Sequence, residues 1–247
     1  MADLVLNSLF IWLDGGPYHL WIAVFVTLAF TALARMVRGV SISGAIAGAA
    51  VCFVLIAGAG LGAFALLVTV FGLTWLSTRF GYRRKQELGT AQAREGRTAS
   101  QVLANLAVSA ISAGLLGATG RSVFLLGTTA ALAEAAADTV SSELGQTYSE
   151  KARLITTWKE VPAGTDGGVT LLGTAAGVVA ALLIGAISYF AGLTPIKWAA
   201  IAVSSAFLGM LADSYLGASL ERRKLLTNDW VNLLGTLVAA GTAMLVG

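Results

Sequence analysis

The chain has 247 residues, of which 57% are hydrophobic and only 12% charged, with a mean hydropathy of +0.80. A soluble domain carries about 25% charged residues and a membrane barrel shows alternating strands of about ten residues, so long continuous apolar runs leave a helical membrane protein. The net charge of +3 lies in loops with no interleaved stacking aromatics, which excludes a nucleic-acid partner, and one cysteine with one histidine is too little for a zinc site or a Cys-His nucleophile pair.

Residues 1–17 carry no basic stretch and no small-residue cleavage site, so no cleavable signal is expected. Leu4 to Leu13 is apolar but too short to span, and reads as an interfacial or partly re-entrant helix. Candidate spans follow at 19–37, 41–58, 61–79, 101–117, 122–144, 168–190, 197–217 and 230–246. His19 enters the first span beside Tyr18 and Trp21, as an interface residue does, and Cys52 lies inside an apolar run as a small buried side chain. The expected fold is all-α: a polytopic membrane protein of about eight spans, one transmembrane domain over 1–247, with residues 18–247 as the helical bundle.

The connections alternate in character. Ala57–Leu61, Gly117–Arg121 and Gly192–Lys197 are short turns, whereas Arg35–Ser41, Arg79–Ser100, Gly145–Gly167 and Ser219–Asp229 are charged. All but Arg121 and Lys197 of the 16 Lys and Arg residues fall in the second group, which the positive-inside rule places in the cytoplasm. Within it, Arg83–Lys85 reads either as topogenic charge that also touches anionic lipid or as part of a site.

The chain also repeats itself. GVTLLGTAAG at 168–177 resembles DWVNLLGT at 229–236, and GVSISGAIAG at 39–48 fits the same frame. AADTVSSELG at 136–145 resembles LADSYLGASL at 211–220, matching Asp138 to Asp213. The unit is a helical hairpin whose Gly and Ala residues at four-residue spacing permit close helix contact.

Acids in a span are costly and mark function by default. Glu134 and Asp138 are four residues apart, on one helix face. Asp213, Ser214, Ser141, Ser142, Asn228, Asp229 and Asn232 sit at helix ends on the same side, and Arg97 and Asn105 enter the fourth span there. The residue types suit phosphate chemistry. Asp138, Asp213 and Glu134 are oxygen donors for Mg²⁺, and Asn105, Asn228 and Asn232 can orient a phosphate. Thr165, Asp166, Gly167 and Gly168 are expected to open a helix whose backbone N–H groups face an anion, with Thr170 following, although Asp166 also reads as a plain N-cap. Lys159 and Arg97 can neutralise phosphate charge or stand as solvated loop charges.

ADTVSSELG, TDGGVTLLGT, ADSYLGASLE and the Asn228-Asp229-x-Val231-Asn232 pattern together resemble an integral-membrane family long known as domain of unknown function 92. That family includes the phytyl-phosphate kinase of tocopherol and phylloquinone synthesis and transmembrane protein 19. The chain is more distantly similar to phytol and dolichol kinases, which use CTP, and departs from them at Glu143-Leu144, where they carry basic residues. The resemblance implies transfer of a γ-phosphoryl group from CTP, or another nucleoside triphosphate, to a membrane-embedded isoprenoid monophosphate. Asp138, Asp213 and Glu134 would then be catalytic and hold Mg²⁺. The nucleotide phosphates would lie on Ser141, Ser142, Lys159, Thr165, Asp166, Gly167, Gly168, Thr170, Ser214, Asn228, Asp229 and Asn232, and the acceptor phosphate on Arg97 and Asn105. Expected partners are the nucleotide, the isoprenoid monophosphate and the bilayer, and a homo-oligomer is compatible with this. The site faces the cytoplasm, in the inner or plasma membrane if the chain is bacterial. Competing expectations are a prenyl-alcohol kinase, a cytidylyltransferase that releases pyrophosphate, a transporter of an anionic substrate, which internal repeats and acids in spans also fit, and last a purely structural membrane scaffold, which leaves the acids unexplained.

Overall fold

A computed structural model describes residues 18–247; the expected interfacial helix within 1–17 lies outside the described residues. Among these residues eight α-helices follow in order: α1 His19–Met36, α2 Ile42–Arg79, α3 Tyr82–Leu88, α4 Ala99–Thr119, α5 Val123–Tyr148, α6 Leu171–Phe190, α7 Ile196–Leu216 and α8 Asn228–Val246. All but the short α3 are long and apolar enough to cross a membrane.

The 38-residue α2 is two spans. At 1.5 Å per residue it would run to about 57 Å, nearly twice a hydrocarbon core of about 30 Å. Instead it breaks at Gly60, whose φ of 78° and ψ of −178° suit glycine alone. The Trp75 indole Nε1 donates to Val37 O at 3.1 Å, so the second half returns to the level at which the first began. Residues 42–59 and 61–79 therefore form a hairpin, and the expected eight spans are present.

Helix α5 is the centre of the bundle, packed against α2, α4, α6, α7 and α8. It is buried nearly all round, and its buried residues include Ala130, Ala131, Ala133, Ala135, Ala136 and Ala137. Small side chains let five helices approach one, and in lipid it is this closeness, more than hydrophobicity, that drives helix association. The repeat glycines act the same way. A Cβ on Gly173 would lie 2.6 Å from Ser141 O, and one on Gly44 only 2.0 Å from Arg97 O.

The charged loops meet at one end of the bundle, where they are folded rather than loose. After α5, residues expected to be loop, together with the first two of the next expected span, form a three-stranded antiparallel sheet in the order β2-β1-β3, with β1 Lys151–Leu154, β2 Glu160–Pro162 and β3 Gly168–Val169. Strand β1 alternates exposed and buried residues, the period-two pattern of a half-covered strand. The span expected from 168 begins later, at Leu171, because Gly168 and Val169 pair with Leu154 and Arg153. Thr170 is its N-cap, accepting from Gly173 N at 3.0 Å. Helix α7 ends in a π-helical turn, Gly217–Glu221.

Lys85 departs from the reading of the Arg83–Lys85 cluster as topogenic charge in contact with lipid. Its side chain is buried, and Nζ donates to Glu143 Oε2 at 2.6 Å and to Ser77 O and Thr78 O at 2.8 Å each. The Thr78 hydroxyl donates to the other Glu143 oxygen at 2.9 Å. Lys85 thus ties α3, the carbonyl end of α2 and the C-terminal turns of α5 together, and every polar group in the knot has a partner. Removing one partner of a buried pair costs about 3–5 kcal/mol, whereas replacing both with apolar groups is often neutral. Lys85→Ala is expected to lower the unfolding temperature of the purified protein strongly, and Lys85→Met with Glu143→Leu to recover most of the loss. A Lys85→Ala protein that melts with wild type would show that the knot is dispensable.

Candidate functional site

The folded end of the bundle contains a polar cleft between α5, α7, the start of α8 and the β3 turn. Asp138 and Asp213 face each other across it, their carboxyl groups within hydrogen-bonding reach. Asp213 lies in the last turn of α7 and Asp138 in the second half of α5, in matching positions of the two hairpin repeats. Ser141, Ser142 and Ser214 line the cleft beside them, as do Thr165, Gly167, Gly168, Thr170 and Asn228. Most of the residues expected at the nucleotide phosphates therefore converge here, although they span nearly a hundred positions of sequence.

Glu134 lies one helical turn deeper than Asp138 and is 1% exposed. Two glycines make room for it. A Cβ on Gly209 would lie 2.7 Å from Glu134 Cγ, and one on Gly235 would lie 2.6 Å from Glu134 Oε1. Glu134 Oε1 and Asp213 Oδ2 are buried with no hydrogen-bond partner among the described residues. A buried carboxylate oxygen without a partner is expensive, and a cation or a donor from a ligand would satisfy it.

Arg97 supplies the opposing charge. Its backbone is clamped to α2's approach: Arg97 N donates to Gly39 O at 3.1 Å and Ser41 N to Arg97 O at 2.9 Å. Gly96, with φ 89°, permits this, since a Cβ there would sit 2.5 Å from Gly39 C. The guanidinium faces the charges of Glu143, Asp138 and Asp229; burial pulls it below its ordinary value and these carboxylates pull it back up. Its Nε is buried without a partner among the described residues. Arg97 thus sits at the boundary between the acids and a second, larger space.

That space is a cavity of about 530 Å³ between α1, α2, α4 and α5. Arg97 and Asn105 line it, not the polar cleft. Helix α5 is the common wall: Ala135 and Thr139 face the cavity, while Asp138 and Ser142 face the cleft. The amide Nδ2 of Asn105 donates to Gln101 O at 2.9 Å.

Several expected residues stand elsewhere. Lys159 is exposed on the turn between β1 and β2 and does not line the cleft. Asp166 is exposed and Asn232 half-buried, and neither lines the cleft; Asp229 faces Arg97 rather than the cleft. The Thr165–Gly168 stretch is not a helix start. Gly168 N already donates to Thr165 O at 2.8 Å, and Gly167 O accepts from Ile155 N at 3.1 Å, because the segment is a turn feeding β3. Gly167, with φ 71°, is pressed against Ala218 of the π turn, where a Cβ would meet the Ala218 nitrogen at 2.3 Å. Its glycines serve that close backbone contact, not an anion at a helix N-terminus.

Two cleft residues escaped notice in the sequence, Gln146 and Glu221. Each follows its repeat aspartate by the same interval, Gln146 after Asp138 and Glu221 after Asp213. Extending the repeat alignment by one position would have paired them.

Comparison with known proteins sets the chain among integral membrane proteins. The profile described as integral membrane protein DUF92 matches residues 25–240. An uncharacterised membrane protein of Methanocaldococcus jannaschii is 34% identical over 228 residues, covering 92% of this chain and 94% of the relative. Protein VTE6, chloroplastic, of Arabidopsis thaliana is 32% identical over 217 residues, covering 83% of this chain and 65% of the relative. An uncharacterised membrane protein of Synechocystis is 32% identical over 172 residues, covering 68% of this chain and 67% of the relative. No solved structure matches.

The glycines around Glu134 give a direct check on the geometry. Gly235→Ala is expected to destabilise the protein by about 1–3 kcal/mol through overpacking. In a Glu134→Ala background the same change should cost measurably less, because the clashing carboxylate is gone. Equal costs in the two backgrounds, read from thermal unfolding, would separate Gly235 from Glu134. With the fold, the paired repeat aspartates and the match over nearly the whole chain in agreement, the protein belongs to the integral membrane protein DUF92 family.

Proposed function

We propose that the protein is a prenyl-phosphate kinase that transfers the γ-phosphoryl group of CTP to an isoprenoid monophosphate, giving the diphosphate. One observation carries the reading: a polar cleft with paired aspartates and a large, largely apolar cavity share α5 as a wall, with Arg97 at their boundary. Such an arrangement suits a reaction between a water-soluble nucleotide and a lipid. The resemblance to the phytyl-phosphate kinase family and the identity with protein VTE6 support the same class. The loop charges support a cytoplasm-facing site, where CTP is present.

In this reading a terminal oxygen of the acceptor phosphate attacks the γ-phosphorus, the bond to the β-bridging oxygen breaks, and CDP leaves. The acceptor is already an anion, so the protein need supply no strong base; its task is positioning and charge neutralisation. Arg97 neutralises the acceptor phosphate and holds it against the cleft, with Asn105 below it. The serines and the Thr170 hydroxyl donate to nucleotide phosphate oxygens, while the Thr165 hydroxyl, which donates to Pro162 O, shapes the turn beside them. Asn228 orients them from the mouth of α8.

Mg²⁺ fits the residues present. Asp138 and Asp213, with Glu134 beneath, are acceptor-only groups, and two of their oxygens are buried without a partner among the described residues. No three acids among the described residues form a ready-made cation cage. That suits Mg²⁺, which typically takes one or two carboxylates and completes its shell with substrate phosphates and water. Asp138 and Asp213 would hold it, and when bound it would offset charge on the transferring phosphoryl group.

Asp138→Asn and Asp213→Asn are each expected to lower turnover by roughly a hundred-fold or more while the protein stays folded. The assay is transfer of label from γ-labelled CTP, with phytyl phosphate and phytol offered separately. Label on the alcohol alone would establish an alcohol kinase instead, and release of labelled pyrophosphate a cytidylyltransferase. Full activity in either variant would remove that aspartate from the site.

A further inference from the structure

We infer that the cavity between α1, α2, α4 and α5 seats the hydrocarbon tail of the acceptor, and that Gly48 sets the length of tail it accepts; this rests on the prenyl-phosphate reading above. The cavity is graded as a lipid anion is graded. Its mouth, at the charged end of the bundle, carries Arg38, Arg94 and Arg97. Its interior is walled by Phe30, Leu67, Val70 and Leu106. At about 530 Å³ it falls within the roughly 300–1,000 Å³ of sites that enclose small molecules. Protein interiors otherwise pack at the density of organic crystals, so a space of this size and polarity calls for an apolar occupant. A phosphate held by Arg97 at the mouth would lie on the boundary with the Asp138 cleft, and its tail would run down α2.

Gly48 lies on that path. Two glycines one turn apart on α2 face the same way, and they do different things. Gly44 is required by packing, since a Cβ there would strike the Arg97 carbonyl oxygen at 2.0 Å. Gly48 lines the cavity, yet a Cβ there would meet nothing within 4 Å. No neighbouring helix demands a glycine at this position. What its missing side chain leaves is cavity, so a larger side chain would shorten the space without disturbing the bundle.

The experiment uses the whole chain in nanodiscs of zwitterionic lipid and measures equilibrium binding of geranyl, farnesyl and geranylgeranyl monophosphates without nucleotide. In Gly48→Leu the ratio of geranylgeranyl to geranyl affinity is expected to fall about ten-fold or more, the scale on which a filled apolar pocket discriminates. An unchanged ratio in a folded variant overturns the inference. The wild-type protein offers a second test that does not depend on the variant's folding. Geranylgeranyl monophosphate bearing a diazirine at the tail terminus should label α1 and α2; label confined to α6, α7 or α8 overturns the inference. Displacement of the probe by phosphatidylglycerol as readily as by geranylgeranyl monophosphate also overturns it, by assigning the cavity to bulk lipid. Because binding is read without turnover, the two proposals fail separately. A shifted length preference with no phosphoryl transfer sustains the tail seat and sinks the kinase. Transfer with an unshifted preference sinks the tail seat and leaves the kinase standing.

Discussion

Carboxyl groups carried into a membrane bundle must be given both room and compensation, and the rest of this structure depends on how α5 provides them. Glu134 and Asp138 stand on a helix whose other buried residues are mostly small: six alanines, three threonines and two glycines. Alanine costs little rotamer entropy and keeps neighbouring axes close, so α7 and α8 can bring Gly209, Asp213 and Gly235 directly against the acids. A bulkier α5 would hold those helices away, and Asp213 would then lose its place beside Asp138. The compensation comes from outside the spans: Arg97, fixed by backbone bonds to Gly39 and Ser41, reaches in from the start of α4.

The same end of the bundle is stiffened where lipid gives no help. Lys85 buries its charge against Glu143 and two helix-terminal carbonyls, so the short α3 becomes a brace between α2 and α5. On the other side the three-stranded sheet and the π turn press together through Gly167 and Gly217, forming the roof of the polar cleft. Between these braces α5 separates two spaces of opposite character. One is polar and opens beside the aspartates; the other is largely apolar and edged with arginine. A wall one helix thick lets a charged group at the boundary belong to both.

Much of this was legible in the chain, for identifiable reasons. The spans are written in local hydropathy, and the matching of Asp138 to Asp213 in a repeated hairpin placed the two acids at equal depth before any contact was known. Gln146 and Glu221 were written in the same repeat, one position past where the alignment stopped. Thr165–Gly168 carried a true signal, close backbone approach, but the partner was the π turn at Ala218 and not an anion at a helix start. Lys85 and Lys159 show why single charges in loops resist interpretation. They occupy similar charged loops, yet one is wholly buried and the other exposed, because a bend after α2 turns Lys85 inward and a hairpin turn carries Lys159 away.

By itself the sequence determined the class of protein, the number of spans, the segregation of charge to one end and the pairing of the two repeat aspartates. These are properties of runs of residues and of their recurrence along the chain, and the bilayer converts them directly into topology. Only the tertiary structure decided which polar residues share a cleft, that Arg97 and Asn105 face a different space from the aspartates, and that Glu143 is bound by a buried lysine. Those outcomes depend on how closely non-adjacent helices approach. That distance is set by glycine and alanine contacts between residues far apart in the chain, such as Gly44 on Arg97 and Gly235 on Glu134, and hydropathy carries no record of it.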